Sequence, residues 1–186
     1  LSTRMSYAAA MKWEELFLHP KGEFAWFYQR MRLCARRGSF LFMHAGIDDQ
    51  TADMVSQQGW KSLNKKFMKL MFSDPFELYY GPFANIIRTK YRNEDRPLTR
   101  HGVKKIRKQG IHALVHGHRS LLHGQRLMLR KGLLNVECDT TLNRNTRKKM
   151  GLKGVGAGTT IIHPKGYILG ISSDYPYMKV FNPTET

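Results

Sequence analysis

The largely apolar run Ile111 to Val115 opens directly into His116-Gly117-His118, and this passage constrains the chain more than any other. A short apolar run bounded by glycine reads as a buried strand. Glycine then lets the backbone turn sharply, so that an imidazole stands at the strand end. A second run, Phe40-Leu41-Phe42-Met43, finishes the same way in His44-Ala45-Gly46. Strand-end loops of one sheet can converge on one site, and neutral imidazole is the commonest protein ligand for transition metals. The plainer reading of the same residues is two unrelated loop histidines.

The rest of the chain supplies the frame. Residues 7–37 read as helical: Met11, Trp13, Leu16 and Phe17 have helical spacing, His19 to Gly22 interrupts, and Phe24, Phe27, Tyr28 and Met31 resume it before Gly38. Residues 50–72 predict a long helix. Ser73-Asp74-Pro75 turns the chain, and Pro75 and Pro82 suggest a loop over Phe76 to Phe83. A basic, irregular segment follows, then a short helix over 102–109 with Val103 and Ile106 inward. After residue 110 the pattern is strands. Gln125–Leu129 and Leu133–Glu137 form one hairpin, and Thr159–His163 with Tyr167–Ser172 a second. Asp139 to Gly158 is a polar loop whose Gly151 to Gly158 stretch, lacking a Walker lysine, reads as a flexible connection.

At 186 residues this is one domain, with no run long enough to span a membrane. Its two cysteines, Cys34 and Cys138, offer no disulfide framework and point to a reducing, cytoplasmic compartment. The outlying quantity is charge. Thirty-one Lys and Arg against 14 Asp and Glu give a formal +17, which favours anionic partners such as nucleic acid or a phosphorylated substrate.

Taken in order, His44-Ala45-Gly46, Ser73-Asp74-Pro75, Asn93 to Arg96 and Val115 to His118 resemble the second half of a calcineurin-like metallophosphoesterase. The Ser/Thr protein phosphatase branch is the nearest, because Ser120 replaces the final histidine of the broader Gly-His-x-His motif. The resemblance implies an α+β fold: the C-terminal half of a four-layer αββα sandwich, entered through N-terminal helices. It implies hydrolysis of phosphate esters by a hydroxide activated between two divalent metals, Mn, Fe or Zn. His44 and His118 would be metal ligands, and Arg96 (with Arg92 and Arg100 as rivals) would grip phosphate through its planar fork. Asp74 would fix its loop, and His116 would stand behind the ligands or lie exposed.

The family's Asp-x-His, Gly-Asp-x-x-Asp and Gly-Asn-His motifs, which carry the bridging carboxylate, do not occur in residues 1–43. The expectation is therefore a fragment of a phosphatase, inactive alone. The alternative is a degenerate frame serving as a basic nucleic-acid-binding or scaffold protein, with Trp60, Tyr79, Tyr80 and Tyr91 available for base stacking.

Overall fold

The computed structural model describes residues 2–87 and 97–182. Two hairpins and the strand between them make one five-stranded mixed sheet, ordered β1-β2-β3-β5-β4. β1 (Cys34–Arg37) and β2 (Phe40–Met43) are antiparallel, as are β4 (Arg126–Arg130) and β5 (Leu133–Glu137). Between them β3 (Ala113–His116) runs parallel to both β2 and β5. Every residue of β3 and β5 is buried, as expected of parallel strands covered on both faces.

One face of this sheet carries Cys34, Leu41, Met43, Leu114 and Leu133 against the helices α3 (Asp49–Ser73) and α6 (Arg100–Lys108), through Val55, Leu63, Phe67, Val103 and Ile106. The other face carries Ala113, Val115, Leu134 and Val136 against a second sheet. That sheet is the antiparallel array β6 (Gly158–Ile162), β7 (Ile168–Ser172) and β8 (Tyr175–Phe181), which contributes Ile162, Ile168 and Phe181. The layers are helices, mixed sheet, antiparallel sheet. This is the expected α+β class with strands drawn from both halves of the chain.

Several local expectations change. The helical reading of residues 7–37 holds only in part, as α1 (Thr3–Trp13), a π-helical turn (Glu14–Leu18) and α2 (Ala25–Arg30). Cys34–Arg37 is instead a strand, because Gly38 at φ 56° turns a two-residue hairpin that pairs Arg37 with Phe40. Phe76 to Phe83 is not simply a loop. Pro75 occupies the first turn of α4 (Pro75–Tyr80), where its missing N–H costs nothing, and α5 (Ala84–Ile87) follows. The polar stretch 139–158 contains α7 (Arg144–Lys149), capped by Asn143. The expected β4–β5 hairpin forms, but its turn is the two-residue Lys131-Gly132, both left-handed (φ 55° and 82°), with Arg130 inside the strand and not in the turn.

The stretch Gly151 to Gly158 is shaped around one buried guanidinium. Arg147 donates to the carbonyls of Thr141 (3.2 Å), Lys153 and Gly154 (3.0 Å), and pairs with Asp174 in the β7–β8 turn at 2.7 and 2.8 Å. Gly156, at φ 69°, lies so close to Arg147 that an added Cβ would collide with it. The sequence reading of a plain flexible connection misses this tie.

Candidate functional site

β2 and β3 end side by side, and their hydrogen-bond ladder continues past the last paired residues. The N–H of Gly117 donates to the carbonyl of His44 at 3.0 Å. On the other side, the N–H of Cys138 donates to His116 at 2.7 Å, tying β3 to β5. The rigid ladder therefore fixes where the histidines begin. His44 Nε2 and His118 Nδ1 meet at 2.9 Å, with the rings inclined at 67°.

His118 reaches that contact from a left-handed backbone, φ 69°, while the glycine beside it does not adopt positive φ. A non-glycine residue in this region is uncommon, though His is among the more tolerant types. The neighbouring loop is fixed independently: Ala45 donates to the carbonyl of Ile86 at 2.8 Å, and Gly46 turns at φ 135°. The two strand-end histidines predicted to act together are thus brought together.

His116 points the other way. It is buried at 7% exposure on the helix-facing side of the sheet, which rules out the exposed position. Burial pushes its pKa down, and the Glu137 carboxylate on the adjacent strand offsets part of this. Glu137 is itself buried and held by Arg126, whose Nε donates to Oε2 at 2.6 Å. His116, Asn135 and Glu137 face a cavity of about 320 Å³, roofed by Ala45, Gly46 and Asn85. Asn85 donates to the buried carboxylate of Asp48, which also accepts from the Thr51 N–H (2.7 Å) and hydroxyl (2.8 Å) and so caps α3.

The sequence reading missed Asp48, Asn85 and Glu137. Asp48 was legible as an N-cap, an Asp three residues before Thr51. Glu137, an acid in an apolar strand, was legible as a buried polar group. Asn85 left no local signal.

The remaining candidates lie elsewhere. Asp74 fixes its loop as expected: its carboxylate accepts from the Glu77 N–H at 2.8 Å and caps α4. Arg96 and Arg92 fall outside the described residues. Arg100 is at the exposed N-terminus of α6. Asp139, at the start of the polar loop, lies within ordinary contact of Gly117: its Cβ would sit 3.7 Å from a Cβ added there.

Two ring nitrogens at this separation could serve as two donors toward one metal ion. Imidazole nitrogens bound to one ion at about 2.0–2.1 Å stand roughly 3.0–3.4 Å apart, a small opening from the observed contact. Among the described residues, no group of three or more His, Cys, Asp or Glu side chains could hold a metal. A two-metal centre therefore does not fit these residues taken alone; a two-donor corner does. No described helix is long and apolar enough to cross a membrane.

No protein-family model matches the chain, and no curated protein does. Two solved structures are similar in fold. One is a mutant of a cold-active protein tyrosine phosphatase (TM-score 0.56, 13% identity, covering 86% of this chain and 46% of that one). The other is a structure of a cold-active protein tyrosine phosphatase at 1.1 Å (TM-score 0.54, 14% identity, covering 85% and 44%). The chain thus spans slightly under half the length of each.

Proposed function

We propose that this chain is the metal-imidazole half of a phosphoester hydrolase, of the calcineurin-like class that its motif order resembles. The observation that carries the reading is the 2.9 Å contact between His44 Nε2 and His118 Nδ1 at the ends of two parallel strands. The fold shared with proteins named as phosphatases is consistent with it. In this reading the four-layer sandwich and the carboxylate donors are completed by a polypeptide segment that these residues do not supply.

His44 and His118 would hold one divalent ion through those two nitrogens. Such an ion supplies Lewis acidity toward a phosphate oxygen and a water more acidic than bulk water. The chain's own contribution is positional. The Gly117–His44 hydrogen bond fixes the separation of the strand ends, and the left-handed backbone at His118 turns its ring toward His44. His116 and Glu137 stay on the opposite face and stiffen the platform. Among the described residues no carboxylate joins the pair, and the chain alone is expected to turn over phosphate esters no faster than background.

The test is calorimetric titration of Zn²⁺ and Mn²⁺ into the chain, compared with His44→Ala and His118→Ala. The expected result is one weak site, with affinity at least tenfold lower in each variant. Affinity unchanged in both variants would sink the assignment.

A further inference from the structure

At the end of the sheet where β3 begins, opposite the histidine pair, α6 borders a groove of about 500 Å³ lined by Arg100, Val103, Lys104, Arg107, Lys108, His112 and Lys131. We infer that this groove binds the phosphate backbone of single-stranded nucleic acid.

The argument begins with which charges are already used. Lys105 faces away and pairs with Asp53, while Asp49 accepts from the Thr99 N–H (2.8 Å) and hydroxyl (2.6 Å). The nearby acids of α3 are therefore committed elsewhere. Among the described residues, Arg100, Lys104, Arg107 and Lys108 have no acidic partner and no acid lines the groove. Lys131 is held over the groove by its bond to the Leu98 carbonyl at 2.8 Å.

Arg36 adds rigidity: it donates to Gln109 at 2.8 Å and Gly110 at 3.4 Å, fixing the C-terminal end of α6. Five cations bordering one groove repel one another, and a polyanion relieves that repulsion while releasing its counterions.

Charge chemistry favours a phosphate backbone. Arg100, Lys104 and Lys108 recur every four residues and so line one face of α6. Two of the five are arginines, whose forks match phosphate oxygens. Val103 is the only apolar side chain of the lining, so a peptide would find little to anchor it. The described aromatic residues offered for stacking, Trp60, Tyr79 and Tyr80, do not line the groove. Trp60 packs against the main core, Tyr79 and Tyr80 lie on α4, and Tyr91 is outside the described residues. Recognition in this proposal is of the phosphate backbone.

The experiment is fluorescence anisotropy of the 186-residue chain with labelled oligo(dT) and a mixed-sequence strand between 50 and 200 mM KCl. Five phosphate contacts predict an affinity loss of about a hundredfold across that range, from a slope near −0.7 per contact. The Arg100→Gln, Lys104→Gln, Lys108→Gln triple variant should lose less than about tenfold over the same range, because two contacts remain. An equal-charge control, Lys148→Gln, Lys149→Gln, Lys153→Gln, should keep the parent slope. Far-ultraviolet circular dichroism establishes that both variants are folded. Absent binding at 50 mM KCl, equal slopes for the two triple variants, or equal competition by polyglutamate would each overturn the inference.

Discussion

Gly117 donates its backbone N–H to the carbonyl of His44 at 3.0 Å, one step beyond the last paired residues of β2 and β3, Phe42 and Val115. Ring geometry at the site thus inherits the precision of a strand ladder. The left-handed residue is His118 and not the glycine before it, which inverts the usual expectation for a Gly-His pair.

Substitution at these two positions should follow backbone geometry. A Cβ on Gly117 would meet nothing closer than 3.7 Å, so Gly117→Ala should change stability by less than about 1 kcal/mol. His118→Val places a β-branched residue at φ 69° and should cost about 1–2 kcal/mol more than His118→Asn, which tolerates that region. Urea denaturation checks both, and equal midpoints for Val and Asn would contradict the backbone argument.

Asp174 sets an acid limit. Its hydrogen bonds from Arg147 hold its carboxyl below the ordinary range, and burial only partly offsets this. An aspartate with a folded pKa below its unfolded value of about 3.9 contributes fully above that value. The contribution is lost as pH falls through the folded pKa. Asp174→Asn should therefore lower the melting temperature by several degrees at pH 7, with the gap to the parent closing below about pH 4. A gap that stays constant from pH 7 to pH 3 would exclude Asp174 as the titrating group.

Asn64 of α3 closes the edge of the five-stranded sheet. Its Oδ1 accepts from the Cys34 N–H at 3.2 Å and its Nδ2 donates to the Cys34 carbonyl at 3.0 Å, as a neighbouring strand would. Asn64→Leu leaves both backbone groups without that partner and should cost about 1–3 kcal/mol. A chemical-denaturation loss below about 0.5 kcal/mol would mean that water replaces the amide without penalty.

Both thiols should be slow to react. Burial pushes the Cys34 thiol up to about 12, and that of Cys138 upward too, and the thiolate is the reactive form. At pH 8 the native chain should react with a disulfide reagent far more slowly than the urea-unfolded chain, which exposes two thiols. Rapid labelling of Cys34 in the native state would show that β1 opens.

What the sequence disclosed followed from periodicity and turn chemistry. Gln125 to Leu129 and Leu133 to Glu137 were legible as a hairpin, one residue off in its first strand, because a glycine turn separates them, and Val103 and Ile106 were legible as the inward face of α6. The convergence of His44 and His118 was legible because both end apolar strands. What was hidden depended on contacts distant in sequence. Cys34–Arg37 has helix-compatible residues and becomes a strand only because Phe40–Met43 pairs with it. β8 lies beyond the last predicted strand, and Asn85 matters only because the fold carries it to Asp48.

The grip of Arg147 has a bearing on how the chain survives digestion. Residues 144–153 hold Arg144, Arg147, Lys148, Lys149 and Lys153, a dense set of tryptic cleavage points in a segment that looks open on paper. A protease must draw about ten residues of chain into an extended form, and here that means extracting a buried guanidinium from three carbonyls and a carboxylate at once. The segment richest in cut sites is thereby shielded by its own central cleavage residue, and nicking there reports the release of Asp174 from the β7–β8 turn.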